Sequence, residues 1–240
     1  MPRLDHILVE RGLVASRSRA RDLIKRGRVR VNGIVCPKPS QSIQSHDVEV
    51  EDFPWVSRAG LKLEHALHDL PHLRVAGRIC LDLGASTGGF THVLLDQGAT
   101  HVTAVDVGTD QLHPSLLDNP RLINRPQTDV RSLTPGDFDP LPDLLVCDLS
   151  FIALHKALGP ALHLAPSGAD LIALVKPQFE VGRAHLGSGG IVRHREVADQ
   201  ALIDFQSWLT GQGWKVYAKG LAAVAGGDGN QETWVAAKKV

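Results

Sequence analysis

Cysteine and long apolar stretches are both scarce in this sequence of 240 residues. The three cysteines, Cys36, Cys80 and Cys147, form no CxxC pair, and an odd number cannot all be paired within one chain. We interpret them as buried, reduced thiols of a cytoplasmic protein. The longest apolar runs, such as LLVC and DLIALVK, are far shorter than the ~20 residues that a membrane helix needs. The sequence therefore predicts no membrane span and no membrane partner.

Several signatures of common enzyme classes are also missing. The N-terminus, MPRLDHILVERG, is charged from the start and has no apolar stretch typical of a signal peptide. The 12 histidines are dispersed and form no HExxH motif, so no metal site is expected. Ser150 and Ser188 lie in no GxSxG elbow, so neither indicates a hydrolase nucleophile.

Charge is distributed unevenly along the chain. The net charge is zero overall, but residues 1–50 contain ten lysines and arginines against five acidic residues, a net charge of +5. The remaining residues therefore carry a net charge of −5. Such a basic segment is typical of a solvated surface or of a surface that binds nucleic acid.

The basic segment has the pattern of a small α+β domain, which we place at residues 1–52. Apolar residues at helical spacing predict a first helix that stops at Gly12, and Ser16 is a suitable N-cap for a second. The alternating RVRVNG predicts a strand and a hairpin turn. Because arginines of the second helix and of the strand converge in so small a unit, we favour nucleic-acid binding.

A short linker is expected at residues 53–59, followed by a large domain at residues 60–240. The linker prediction depends on Pro54, on an exposed-looking Trp55 and on small residues between two patterned regions. Because the linker is short, we expect the two domains to be coupled.

The large domain has the pattern of an α/β fold with a Rossmann-like sheet of seven strands. Apolar runs of strand length alternate with segments of helix length, which indicates a parallel sheet covered on both faces. The last two strands lie too close in sequence for a crossover helix, so we expect them to be antiparallel. The seven predicted strands are RICLDLG, HVTAVDVG, RLINRPQTDV, DLLVCDLSF, DLIALVKP, WKVYAKGLA and ETWVAAKKV.

A glycine-rich loop, DLGASTGGF at residues 82–90, follows the first of these strands. Its G-x-x-x-G-G spacing does not fit the G-x-G-x-x-G of a dinucleotide site, whereas S-adenosylmethionine carries no phosphate and tolerates it. Asp82 would lie near the amino-acid part of that cofactor, and Asp106 would accept hydrogen bonds from its ribose. The residues expected around the cofactor are Asp82, Gly84, Ala85, Ser86, Gly88, Gly89, Asp106, Val107 and Asp148.

Four ionisable residues are predicted to meet at the ligand edge of the sheet. Asp148 and Lys176 end the fourth and fifth strands, and Glu232 begins the antiparallel seventh strand. Lys62 lies on the helix that precedes the first strand. A lysine near a second cation and partly removed from water gives up its proton more readily. We interpret Lys176 as the base or electrostatic catalyst for methylation of a ribose 2′-hydroxyl, with Lys62, Asp148 and Glu232 orienting it.

Two resemblances agree with these interpretations. SRSRARDLIKRGRVRVNG resembles the RNA-binding module of bacterial ribosomal protein S-four, which implies RNA contacts by Arg3, Arg17 and Lys38, supported by Arg19 and Arg21. The Lys-Asp-Lys-Glu set is similar to that of FtsJ-like ribose 2′-O-methyltransferases. VSRAGLKLEHAL, LDLGASTGGFT, VDVGTDQL, DLSFIAL, VKPQFEVG and GNQE, in this order, resemble the TlyA or hemolysin-like ribosomal RNA methyltransferases.

The second resemblance implies a substrate and further cofactor contacts. It implies methylation of a cytidine 2′-hydroxyl on ribosomal RNA within subunits, with S-adenosylmethionine and no metal, and it implies that Phe90, Asp129 and Leu149 line the cofactor pocket. Like the shorter members of that family, the chain starts at the small module and ends after the last strand, which favours the large subunit. The alternatives are a non-catalytic RNA-binding protein and a membrane-active hemolysin.

Overall fold

The chain forms two compact units, residues 1–54 and 55–240, in the computed structural model. The structure describes residues 2–25, 27–44, 47–50, 54–226 and 229–240. The predicted end of the small domain at residue 52 and the first linker residue, Phe53, lie outside the described residues. The predicted domain bounds therefore stay a prediction.

The small unit is an α+β fold with a three-stranded antiparallel sheet in the order β2-β1-β3. Its elements are α1 (Leu4–Glu10), α2 (Arg17–Lys25), β1 (Val29–Val31), β2 (Ile34–Val35) and β3 (Val48–Val50). The hairpin predicted between β1 and β2 is confirmed, with φ of 52° at Asn32 and 75° at Gly33. These are the left-handed conformations that a two-residue hairpin turn requires.

The predicted apolar stripe of α2 forms part of the core of the small unit. Ala20, Leu23 and Ile24 are fully buried against α1 and β1. The Ser16 side chain accepts a hydrogen bond from the backbone N–H of Arg19 at 3.2 Å, so the predicted N-cap is present. The arginines of α2 are left on the outer side of the helix.

The large unit contains the seven predicted strands and the helices between them. Its elements are α3 (Ala59–Asp69), β4 (Ile79–Leu83), α4 (Gly89–Asp96), β5 (His101–Val105), α5 (Pro114–Leu117), β6 (Leu122–Arg125), β7 (Leu144–Cys147), α6 (Leu154–Ala157), α7 (Gly159–Leu164), β8 (Asp170–Val175), α8 (Pro177–Glu180), α9 (Arg195–Gly211), β9 (Trp214–Leu221) and β10 (Thr233–Lys239).

The seven strands form one sheet in the order β6-β5-β4-β7-β8-β10-β9. Neighbouring strands from β6 to β8 are parallel, and β10 is antiparallel to both β8 and β9, as the sequence predicted. The central strands β7 and β8 are buried along their whole length, because helices cover both faces of the sheet. The carboxyl ends of the five parallel strands therefore share one edge with the start of β10.

Trp55 is buried, and the prediction that it is exposed was wrong. Only 6% of its surface is accessible. Its ring meets His92 of α4 edge-on, with 5.3 Å between the ring centroids, and it packs over Gly60 so closely that no side chain would fit there. The sequence predicted a linker because Pro54 and the small residues mark a break, but they also allow this segment to pack against α4.

Candidate active site

The catalytic candidates approach the shared strand edge from three directions. Asp148 and Lys176 directly follow β7 and β8, and Lys62 projects from α3. Because β10 runs antiparallel to β8, with Thr233 opposite Val175, the register places Glu232 beside the end of β8. The structure thus brings together four residues that are far apart in the sequence.

The four side chains form a chain of alternating charge. Lys62 Nζ lies 2.5 Å from Glu232 Oε2 and 3.9 Å from Asp148 Oδ2, while Lys176 Nζ lies 2.6 Å from Asp148 Oδ1. Asp148 is therefore shared by both lysines. The two cations and two anions cancel, which allows all four to be largely removed from water.

Burial of the tetrad is nearly complete. The exposed fractions of Lys62, Lys176 and Glu232 are 5%, 7% and 2%, and the Asp148 side chain is 13% exposed. Charges in such surroundings interact far more strongly than they do in water. The arrangement can therefore hold a lysine amine at a fixed position and stabilise charge that develops next to it.

Ser150 belongs to this cluster, although sequence reasoning did not identify it. Lys176 Nζ donates a hydrogen bond to Ser150 Oγ at 2.8 Å, and Ser150 itself is exposed. A serine in a loop after a strand has no distinctive spacing. The only available signal was its position two residues after Asp148.

Asp82 is a fully buried carboxylate at the end of β4. Its Oδ2 accepts a hydrogen bond from Thr91 Oγ1 at 2.6 Å, and its Oδ1 has no partner among the described residues. Burial raises the pKa of Asp82 to about 7, although the hydrogen bond from Thr91 acts in the opposite direction. A buried acceptor without a donor indicates a site that a ligand donor completes.

Asp106 holds the glycine-rich loop in place. Its two carboxylate oxygens accept hydrogen bonds from the backbone N–H groups of Ser86 and Gly108, each at 2.8 Å. The loop turns sharply, with φ of 85° at Gly84 and 87° at Gly88, conformations that favour glycine. Each oxygen of Asp106 retains a second lone pair for a ligand hydroxyl.

The last glycine of the loop is needed for packing. A Cβ on Gly89 would lie 2.3 Å from Ser57 Oγ and 2.9 Å from the backbone nitrogen of Gly60. The start of α4 therefore lies directly against residues 57–60, a contact that sequence reasoning did not predict.

The other cofactor candidates lie in different surroundings. Ala85 and Phe90 are buried, at 6% and 2% exposed, Leu149 is half-buried and Val107 is 70% exposed. Asp129 accepts hydrogen bonds from Arg131 Nε at 3.0 Å and Nη2 at 2.6 Å, which lower the pKa of this carboxyl. The sequence did not indicate that pairing.

The residues at the strand edge fit S-adenosylmethionine by their chemistry. The unpartnered oxygen of Asp82 suits the ammonium of its amino-acid part, and Asp106 suits a ribose diol. No group of three His, Cys, Asp or Glu side chains within the described ranges is placed to hold a metal ion. In the same ranges, no helix is long and apolar enough to cross a membrane.

The RNA candidates lie in the small unit, and three of them meet at one acidic residue. Arg3, Arg17 and Arg21 each contact the carboxylate of Asp5, at 3.0, 3.3 and 3.1 Å. Arg19 is half-buried, and Lys38 is exposed in the segment after β2. The sequence identified the cations but not the anion between them.

Comparisons with known families match both units. Residues 55–239 match the FtsJ-like methyltransferase family, and residues 2–48 match the S4 domain.

Two curated relatives cover nearly the whole chain. A 16S/23S rRNA (cytidine-2′-O)-methyltransferase TlyA from Mycobacterium tuberculosis is 42% identical over 234 residues, which cover 96% of this chain and 87% of the relative. A 23S rRNA (cytidine-2′-O)-methyltransferase TlyA from Campylobacter jejuni is 32% identical, with 93% of this chain and 94% of the relative covered.

A solved structure, a hemolysin-named chain from Streptococcus thermophilus, has the same architecture. It is 36% identical, with a TM-score of 0.79, and the match covers 100% of this chain and 88% of that chain.

Proposed function

Because the chain belongs to the FtsJ-like methyltransferase family, whose cofactor is S-adenosylmethionine, and carries an S4 domain, we propose that it methylates a cytidine 2′-hydroxyl of ribosomal RNA. The observation that carries this proposal is the buried tetrad of Lys62, Asp148, Lys176 and Glu232. Ribosomal RNA and the cytidine are inferred from the names of the two curated relatives. The site of action would be the cytoplasm, where ribosomes are.

When bound, S-adenosylmethionine supplies an electrophilic methyl group on a positively charged sulfur. Asp82 would hold its ammonium and Asp106 its ribose hydroxyls, at the carboxyl ends of β4 and β5. Asp129, which follows β6, is the candidate for the adenine, and Arg131 fixes its carboxylate.

Lys176 is the residue that handles the proton of the acceptor. A neutral amine has two N–H donors and one lone pair. In this site Nζ donates a hydrogen bond to Ser150 Oγ at 2.8 Å and lies 2.6 Å from Asp148 Oδ1. We infer that the lone pair of Lys176 Nζ would face the ribose 2′-hydroxyl and take its proton as the methyl group passes from the cofactor sulfur to the ribose oxygen.

Lys62 and Glu232 support this step by position and charge. The contact of 2.5 Å between them fixes the Lys62 ammonium, which lies 3.9 Å from Asp148. Once Lys176 has gained a proton, Asp148 stabilises the new ammonium, and the four side chains then carry no net charge. The buried charges need little rearrangement during the reaction.

The substrate is proposed to be an assembled subunit, with the large subunit favoured. Both curated relatives carry 23S in their names, and one also carries 16S. The basic S4 unit would supply much of the affinity, since RNA binding depends strongly on phosphate contacts.

The test is transfer of radiolabelled methyl to purified subunits from cells that lack the homologous methyltransferase. Nuclease mapping should locate the label on a ribose of the large subunit. Lys176→Ala should lose at least about 100-fold in rate, which is the range for an acid–base group. Lys215→Ala, an exposed lysine on β9, is the matched control and should act like the parent protein.

Two results would count against parts of this proposal. Label on a base, or no label on either subunit, would contradict the assignment of a ribose 2′-hydroxyl of ribosomal RNA as the methyl acceptor. Full activity of Lys176→Ala would contradict the assigned base while leaving the acceptor intact.

A further inference from the structure

Three guanidinium groups converge on a single carboxylate in the small unit. The side chain of Asp5 is 0% exposed, whereas those of Arg3, Arg17 and Arg21 are 46%, 45% and 50% exposed. The arginines therefore cover the carboxylate and remain half open to solvent. The group of four carries a net charge of +2, and we call it the Asp5 cluster.

The local fold explains why these residues meet. Asp5 lies in the first turn of α1 and Arg3 directly precedes that helix. Arg17 and Arg21 lie one turn apart on α2, so their side chains leave the same face of that helix. α1 packs against α2 in the core, which brings that face of α2 to the start of α1.

The segment that contains Lys38 is attached to the same point. The backbone N–H of Asp5 donates to Pro39 O at 3.1 Å, and that of Leu4 donates to Gln41 O at 2.8 Å. Residues 38–41 are thus held beside the Asp5 cluster. Three of the five residues expected to contact RNA therefore contact one carboxylate, and a fourth, Lys38, belongs to the segment attached beside it.

Asp5 is well suited to hold arginines without neutralising them. Burial alone would raise the pKa of this carboxyl, but hydrogen bonds from Arg3, Arg21 and Arg17 bring it far below its usual range. Each guanidinium has five N–H donors, and only one or two per arginine point at Asp5. The three arginine side chains are about half exposed, so a ligand can reach them from solvent.

We propose that Asp5 is a positioning residue that assembles Arg3, Arg17 and Arg21 into a pre-organised site for a backbone phosphate of RNA. The inference rests on the proposed function, since the bound phosphate is taken to belong to ribosomal RNA. Arginines fixed before binding lose less conformational freedom when they bind. Forked guanidinium groups also match phosphate geometry better than mobile point charges do.

Simple electrostatics predicts the opposite effect for loss of Asp5. Removal of an acidic residue makes the small unit more basic, which should strengthen attraction to RNA. The positioning role predicts weaker binding, because the arginines lose the carboxylate that orders them. The two accounts therefore differ in sign.

The experiment compares Asp5→Asn with Glu10→Gln in the full-length protein. Glu10 is an exposed acid of α1, so its substitution changes the charge equally without touching the cluster. Binding to purified large subunits is measured at several salt concentrations. We expect Glu10→Gln to bind as tightly as the parent or more tightly, and Asp5→Asn to bind about 10-fold more weakly, which is the effect of about 1.4 kcal/mol.

Loss of folding is checked by hydrogen exchange in the small unit. If Asp5→Asn unfolds that unit, Arg17→Lys and Arg21→Lys become the deciding variants, because they keep the charge but remove the fork. We expect each to weaken binding several-fold, whereas Arg30→Lys, on β1 outside the cluster, should have little effect.

The outcomes that overturn the inference are specific. Binding by Asp5→Asn that equals or exceeds that of Glu10→Gln would remove the positioning role. So would unchanged binding by the lysine variants. Asp5-dependent binding to phosphatidylglycerol vesicles without binding to subunits would assign the cluster to a membrane surface. Failure of the parent protein to bind any subunit would instead contradict the proposed function.

Discussion

Ser150 determines, in this geometry, which way the Lys176 amine can point. Lys176 Nζ donates a hydrogen bond to Ser150 Oγ and lies 2.6 Å from Asp148 Oδ1, and we propose that the ribose hydroxyl meets the amine from a third direction. If the serine hydroxyl is removed, the amine can rotate about its terminal bond. The lone pair is then no longer fixed.

Ser150→Ala should therefore lower kcat by up to about 10-fold, because an ordinary hydrogen bond contributes about 0.5–1.5 kcal/mol, and leave KM for subunits and cofactor nearly unchanged. Ser150→Thr keeps the hydroxyl and should restore most of the rate. Steady-state methyl transfer measures both constants. A rise in KM with constant kcat, or no rescue by threonine, would show that Ser150 acts in binding or structure instead.

The buried Asp82 carboxylate is proposed to bind the cofactor, but its burial lowers the stability of the folded protein. Its pKa in the folded protein is raised to about 7 by burial, above the ordinary value near 4 in the unfolded chain. The folded state therefore holds this proton more tightly. Stability is greatest below about pH 4 for this group and falls as the pH rises toward 7, above which the full cost of the buried charge applies.

Asp82→Asn should consequently raise the melting temperature of the cofactor-free protein at pH 8, with a smaller gain at pH 5. By linkage, a pKa difference of about three units makes the gain at pH 8 up to about 4 kcal/mol. The same variant should bind S-adenosylmethionine more weakly, since it lacks the carboxylate that we propose as the partner of the cofactor ammonium. Calorimetric melting and titration at both pH values measure the two effects. An equal change in stability at both pH values would contradict the burial of a titrating carboxyl.

At the scale of elements, the contact between α4 and the start of α3 positions the glycine-rich loop. Trp55 packs on Gly60 and His92, and Gly89 allows residues 57–60 to approach α4. Both helices flank the strand edge, since α3 carries Lys62 and α4 carries Thr91, the partner of Asp82. A change at this contact should therefore alter the affinity for the cofactor.

Gly89→Ala is the variant that tests this contact. Its new Cβ would meet Ser57 and the backbone of Gly60, and overpacking of this kind costs about 1–3 kcal/mol. We expect a lower melting temperature and weaker binding of S-adenosylmethionine. Gly159→Ala, at the start of α7, has nothing within 4 Å of the new Cβ and should be neutral or slightly stabilising. Equal effects of the two variants would exclude a special role for the contact.

The elements were predictable from the sequence, but several contacts within and between them were not. Apolar runs and their spacing predicted all seven strands, because a strand buried on both faces leaves a local pattern. The position of Glu232 beside the end of β8 was predictable because strand direction fixes which ends share an edge. Ser150, Asp5 and the burial of Trp55 were missed, since each depends on contacts that no local pattern encodes.

At the scale of the whole molecule, the distribution of charge matches the two proposed activities, RNA binding by the small unit and methyl transfer by the large unit. Residues 1–50 carry a net charge of +5, while the buried tetrad of the large unit is neutral. Exposed charges are screened by salt, whereas buried pairs are screened much less. The two binding activities should therefore respond differently to ionic strength.

Binding to ribosomal subunits should weaken steeply as salt rises from about 50 to 200 mM, because each phosphate contact releases counterions. The affinity for S-adenosylmethionine should change less than about twofold over the same range. Arg17→Gln should reduce the slope of log affinity against log salt by about one, whereas Lys215→Gln, in the large unit, should not alter it. Filter binding and calorimetry measure the two affinities. An unchanged slope in Arg17→Gln would place the RNA surface elsewhere in the molecule, because a residue that contacts a phosphate cannot be removed without changing the counterions released.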